Sequence, residues 1–173
     1  VALSGQASSS MAMGDTKKAL DLLSDMAEKK HTEPAGQYAL FWYGRLSYAS
    51  GRWREARAAL EKFSSQYPAS PLADDALFFS ARAARSENDY TSAIELFRAL
   101  SARYANSVFA EHAIVESAQC MLEAGQAAAA AREFKKFIDT NIASPLRPVA
   151  LYNMGKALQR AGSFIEAIEQ FKA

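Results

Sequence analysis

A chain of 173 residues with 50% hydrophobic residues can build one ordinary core, and its formal net charge of +1 gives no footing for nucleic acid or an anionic membrane surface. The composition is rich in alanine and poor in valine and threonine, which favours closely packed helices over strands. One cysteine excludes an internal disulfide and leaves the compartment open, and no apolar run approaches the ~20 residues of a membrane span.

In chain order, one design recurs. Turn-prone residues stand at Gly14, Gly51, Asn88, Gly125 and Gly162, each 37 residues from the next. Ala19, Ala56, Ala93, Ala130 and Ala167 keep the same step, as do Ala2-Leu3, Ala39-Leu40, Ala76-Leu77, Ala113-Ile114 and Ala150-Leu151. A fixed period without insertions is the mark of a solenoid. The repeats run over about 1–33, 34–70, 71–107, 108–144 and 145–173, the first and last incomplete, in a single solenoid read as a piece of a longer chain.

In the first repeat, Gly5 and Ser8-Ser9-Ser10 argue for a frayed helix over 1–13, and Ala19, Leu20, Leu22, Leu23 and Met26 form an apolar stripe. Lys29, Lys30 and His31 suit the negative end of that second helix. Glu33-Pro34 opens the second repeat, whose first helix carries Tyr38, Leu40, Phe41, Trp42, Tyr43, Leu46 and Tyr48. A helix apolar nearly all round must be covered by neighbours or by a ligand. Its second helix is expected over 54–66. Ser70-Pro71 then reads as an N-cap serine with proline at the first helical position. The third repeat expects helices near 71–86 and 91–104, the fourth runs from Ser107 to about Asn141, and Ser144-Pro145 starts the fifth, with Pro148 tolerated in a first turn. No strand pattern appears. The expected fold is all-α, a right-handed superhelical stack of antiparallel helix pairs.

Within a repeat, Leu40, Gly44, Gly51, Ala56, Leu60 and Pro68 follow the spacing of the tetratricopeptide (TPR) pattern. Leu151, Gly155, Gly162, Ala167 and Phe171 follow it too, and the third and fourth repeats carry Leu77, Ala81, Asn88, Ala93, Phe97 and Ile114, Ala118, Gly125, Ala130, Phe134. The chain resembles the TPR family, with a period of 37 in place of the usual 34. The extra length lies in linkers such as Tyr67-Pro68-Ala69-Ser70-Pro71, which are similar to those of bacterial cell-envelope TPR proteins of the BamD and CpoB types.

Chemistry is sparse. His112 and Cys120 are eight residues apart on one expected helix, about 12 Å of rise, too far for a Cys–His pair. Cys120 reads as core, His112 as surface, and Asp74-Asp75 as first-turn acids. No phosphate loop, metal-ligand spacing or nucleophile motif is present, so no enzyme, cofactor or metal is expected.

The resemblance implies a concave groove lined by first helices. Carried over, one line is Phe41, Phe78, Val115 and Tyr152; four residues on lie Arg45, Arg82, Gln119 and Lys156. One turn before the first line are Tyr38, Asp75, His112 and Val149, and furthest along are Tyr48, Arg85, Leu122 and Gln159. Rings interleaved with arginines suit a protein segment with apolar anchors and acidic groups. Rings at this spacing equally serve as core, so Phe41, Trp42, Phe78 and Phe79 stand open between groove contact and packing between adjacent repeats. With Phe41 and Arg45 where a chaperone-tail carboxylate clamp has other residues, that clamp is not expected. The resulting expectation is a non-catalytic protein-interaction scaffold in a bacterial envelope (periplasmic or outer-membrane associated, with a cytoplasmic alternative), serving outer-membrane assembly or Tol–Pal machinery. Two other readings stand beside it: homo-oligomers stacked through Ala2, Leu3, Ile168 and Phe171, and a non-catalytic arm of a larger secretion or polysaccharide-synthesis protein.

Overall fold

The computed structural model describes residues 5–30, 33–164 and 167. His31, Ala2, Leu3, Ile168 and Phe171, and with them the final helix and the end-to-end stacking faces expected from the sequence, lie outside the described residues. Among the described residues there are nine α-helices and no strand: α1 (Gly5–Ala12), α2 (Thr16–Lys29), α3 (Pro34–Ala49), α4 (Trp53–Gln66), α5 (Ala73–Ser86), α6 (Tyr90–Arg103), α7 (Ala110–Glu123), α8 (Ala127–Thr140) and α9 (Arg147–Arg160). None of them is long and apolar enough to cross a membrane. The chain divides into two compact units, Val1–Asn88 with α1–α5 and Asp89–Ala173 with α6–α9. The boundary falls at Asn88, inside the third repeat of the sequence period.

The turn inside each repeat falls on the residues spaced 37 apart. Gly14, Gly51, Gly125 and Gly162 all have φ between 74° and 85°, and Asn88, with φ 62°, is the non-glycine residue that takes the same left-handed conformation. At Gly51 the turn closes in a Schellman motif, with Arg52 N–H donating to the Ser47 carbonyl at 2.9 Å and Gly51 N–H to that of Tyr48 at 3.1 Å. Asp15 and Asp89 follow their turns as N-caps, each carboxylate accepting from a backbone N–H at 3.1 Å.

The linkers between repeats differ from expectation. Ser70 is not the cap of α5, which begins at Ala73 with Leu72 before it. The Ser70 hydroxyl instead accepts from Leu72 N–H at 3.3 Å, and the Ser70 carbonyl accepts from Ala73 N–H at 3.0 Å. Ser107 and Ser144 repeat this with Phe109 and Leu146, at 3.0 and 3.1 Å. A serine turn that satisfies its own backbone two residues on competes with helical continuation, which delays each helix start.

In unit 1 the core joins Leu40 and Phe41 of α3 to Leu60 and Phe63 of α4 and Ala76 of α5. The rings of Phe41 and Phe63 lie 5.4 Å apart, and Phe63 stacks on Tyr67 at 5.3 Å. Gly44 sets the approach of α3 to α4, because a Cβ there would stand 2.6 Å from Leu60 Cγ. The weak helix expected at the N-terminus is held by packing: Ala7 of α1 is fully buried in a cluster with Leu23 of α2 and Ala39 of α3. In unit 2, Phe97 of α6, Cys120 and Leu122 of α7, Phe134 and Phe137 of α8 and Ala157 of α9 are all essentially inaccessible.

Candidate partner-binding face

Unit 1 exposes one side of α3 and α5, and the residues on it stand in repeat register. Tyr38, Trp42 and Arg45 follow one another at helical spacing on α3. Asp75, Phe79 and Arg82 hold the same three positions on α5. Trp42 is 36% exposed, and the other five are half-buried. The expected assignment of the neighbouring residues is corrected. Phe41 and Phe78, placed in the groove from the sequence, are 2% and 5% exposed and belong to the core; Trp42 stands on the open side, whereas Phe79 is half-buried and packs against the core of α3, α4 and α5 and edge-on to Tyr48. The physical reason is angular. Gly44 marks the side of α3 turned to α4; at about 100° per residue, Phe41 lies about 60° round the helix from it and Trp42 about 160°. That close contact, legible as the small residue of the repeat pattern, was the signal that could have placed Trp42 outward.

The electrostatics of the face are uneven. Arg45 pairs with Asp75 across the two helices, and its guanidinium sits 3.5 Å from the Phe79 ring centroid. Its charge is therefore engaged within the chain. Arg82 has no carboxylate partner among the described residues; its guanidinium lies 5.9 Å from the Tyr48 ring and 5.8 Å from that of Phe78. Tyr48 fixes this corner, packing on Trp53 at 5.1 Å and edge-on to Phe79 at 5.2 Å. Arg85 is half-buried in the last turn of α5.

In unit 2 the expected residues lie on α7 and α9. Gln119 donates to Glu123 at 3.0 Å, and its own Oε1 is buried without a partner. Tyr152 is 58% exposed, with the Lys156 ammonium 5.5 Å from its ring centroid. Val115 and Leu122, on the expected lines, are buried, whereas His112, Val149 and Gln159 are exposed.

Helices packed on their chain neighbours within each unit, a left-handed residue in each turn, a close-approach glycine and an aromatic–arginine face define a helical-repeat protein of the interaction type. A family model described as a tetratricopeptide repeat matches residues 5–62 and 44–108, more than half of the chain, and the chain belongs to that family. Among solved structures it is similar to TPR-like repeats of a putative kinesin light chain from Podosopora anserina (19% identity, 96% of this chain and 88% of that one, TM-score 0.74). It is also similar to MamA (17% identity, 99% and 93%, TM-score 0.77) and to the Rap conjugation gene regulator of plasmid pLS20 in complex with the Phr* peptide (13% identity, 96% and 50%, TM-score 0.58). At these identities the likeness is one of fold. No curated protein matches the sequence.

Proposed function

We propose that this chain is a non-catalytic scaffold that holds a protein segment against the α3/α5 face, and that it works in a bacterial cell envelope on outer-membrane assembly or Tol–Pal machinery. The observation that supports the binding site is the register of Tyr38, Trp42 and Arg45 with Asp75, Phe79 and Arg82, in which the Arg82 guanidinium lies beside the half-buried Tyr48 ring with no carboxylate partner among the described residues. Rings supply contact area at low entropy cost, and an arginine held by rings is set to take a carboxylate. The segment that fits carries apolar anchors and an acidic residue. The Rap regulator, a protein of similar fold, is in complex with the Phr* peptide, which supports a segment-binding reading. The envelope setting is supported by the Tyr-Pro-Ala-Ser-Pro linker at 67–71 and its likeness to envelope TPR proteins.

Photo-crosslinking from position 79 in the native organism, with adducts identified by mass spectrometry, tests the reading. Adducts to envelope proteins are expected. Adducts to cytosolic proteins alone would remove the envelope assignment, and adducts to the chain itself alone would replace the scaffold with self-assembly. Arg82→Glu should weaken the partner by about 1–3 kcal/mol with helicity unchanged, and an unaltered affinity would take Arg82 out of the site.

A further inference from the structure

The α3/α5 face holds two arginines in repeat register, Arg45 and Arg82, but their charges are not equally available. Arg45 forms an ion pair with Asp75 across the two helices. The two side chains are 28% and 25% exposed, so the pair is partly desolvated and is screened less than a pair on the open surface. The Phe79 ring, its centroid 3.5 Å from the Arg45 guanidinium, backs the cation. Arg82 lies beside the rings of Tyr48 and Phe78, at 5.9 and 5.8 Å, with no carboxylate partner among the described residues. The pairing acid is peculiar to the third repeat: the position of Asp75 holds Tyr38, His112 and Val149 in the second, fourth and fifth.

The ion pair stands between the two groups best placed to meet a partner. Along α3, the exposed Trp42 is followed three residues later by Arg45 and six residues later by Tyr48, beside which Arg82 sits. Six helical residues rise about 9 Å, a span that an extended segment covers in about three residues at ~3.3 Å each. An unpaired Arg45 would draw a second acid to the middle of that span. With Asp75 in place the middle is neutral, and an acid brought there meets the Asp75 carboxylate as well as the cation. A like charge set against the wrong ligand is a common source of discrimination.

We propose, resting on the segment-binding reading above, that Asp75 is a specificity-determining residue. By occupying Arg45 it limits the face to a segment with a single carboxylate, seated on Arg82 about three residues from an apolar side chain on Trp42, and denies any gain to a segment with a second acid between the two.

Amide NMR titration of the 15N-labelled 173-residue chain tests this with three acetylated and amidated octapeptides. The first is Ser-Ala-Phe-Ala-Ser-Glu-Ala-Ser, the second has glutamine in place of its glutamate, and the third has an added glutamate directly after phenylalanine. The single-acid peptide should shift amides of α3 and α5 saturably and bind about tenfold tighter than the glutamine peptide, an advantage lost in Arg82→Met. The second acid should change the affinity for the wild-type chain by less than about twofold. In Asp75→Asn the two-acid peptide should become the tightest, by about tenfold, and adding Arg45→Met to that variant should abolish the gain, with far-UV circular dichroism unchanged throughout. A wild-type preference for the two-acid peptide, which needs no variant to measure, would overturn the role of Asp75 and leave the segment-binding reading standing. So would an Asp75→Asn ranking like that of wild type, or a gain that survives Arg45→Met. No saturable shift on α3 or α5 with any of the three peptides would overturn both.

Discussion

The α3/α5 face of unit 1 and the α7/α9 face of unit 2 occupy the same positions of one repeat, yet they are furnished differently. Where unit 1 has Trp42 and Phe79, unit 2 has Glu116 and Asn153; where unit 1 has Arg45 and Arg82, unit 2 has Gln119 and Lys156. Arg45 is tied to Asp75 and the Phe79 ring, whereas Gln119 reaches only Glu123 and leaves its buried oxygen unpaired. The left-handed turns and the buried pair Phe63 and Phe137 do not diverge in this way. The repeat thus constrains what faces the partner helix of each hairpin and leaves the other side free to acquire a partner.

If that division is right, changes to the shared interior should act alike in both units. Phe63 and Phe137, in the same register and each 1% exposed, should each lose about 3–5 kcal/mol on truncation to alanine, read as the midpoint of urea unfolding. A large difference between them would break the equivalence. Next in size, Gly44→Ala places a Cβ 2.6 Å from Leu60 Cγ and should cost about 1–3 kcal/mol, while Gly5→Ala, with nothing within 4 Å, should cost nothing measurable in thermal melts.

On the divergent side the two units should part. Arg45→Ala strands the half-buried Asp75 and uncovers Phe79, an expected loss of about 1–2 kcal/mol. Gln119→Leu in the same position removes an unpaired buried oxygen and should be neutral or stabilising in the same assay. Equal losses would contradict the contrast. The smallest effect is on acid stability. The Glu55 carboxyl is held below its ordinary value of 4.5, chiefly by its own backbone N–H and then by Arg52, against an opposing push from burial. Its folded pKa is lowered, so its contribution is present above that ordinary value and fades as pH falls through the lowered one. Glu55→Gln should flatten the acid limb of the stability–pH curve slightly. The first turn of α8 in unit 2 has no acid to remove.

Much of this architecture was legible in the sequence because it rests on residues with few alternatives. A left-handed turn selects glycine or asparagine, and a close helix approach selects a residue without a side chain, so Gly51 and Gly44 announced the α3/α4 hairpin and Asn88 the turn after α5. Helix starts were less legible, since Ser70, Ser107 and Ser144 have the chemistry both of caps and of the serine turns they form. The face was misplaced by one residue. Adjacent aromatics such as Phe41-Trp42 and Phe78-Phe79 look alike in a list, and only the angle from Gly44 tells them apart. The engagement of Arg45 was hidden because Asp75 lies 30 residues on, brought near only when α5 packs on α3.

The most direct test of the partner face is photo-crosslinking in the native organism from four positions in one register, 42 and 79 in unit 1 and 116 and 153 in unit 2, with adduct yields normalised to protein level. The face described here predicts adducts to a shared protein partner from 42 and 79, depleted by Arg82→Glu, and far weaker capture of that partner from 116 and 153. Equal yields at all four positions, or capture from unit 2 alone, would contradict it.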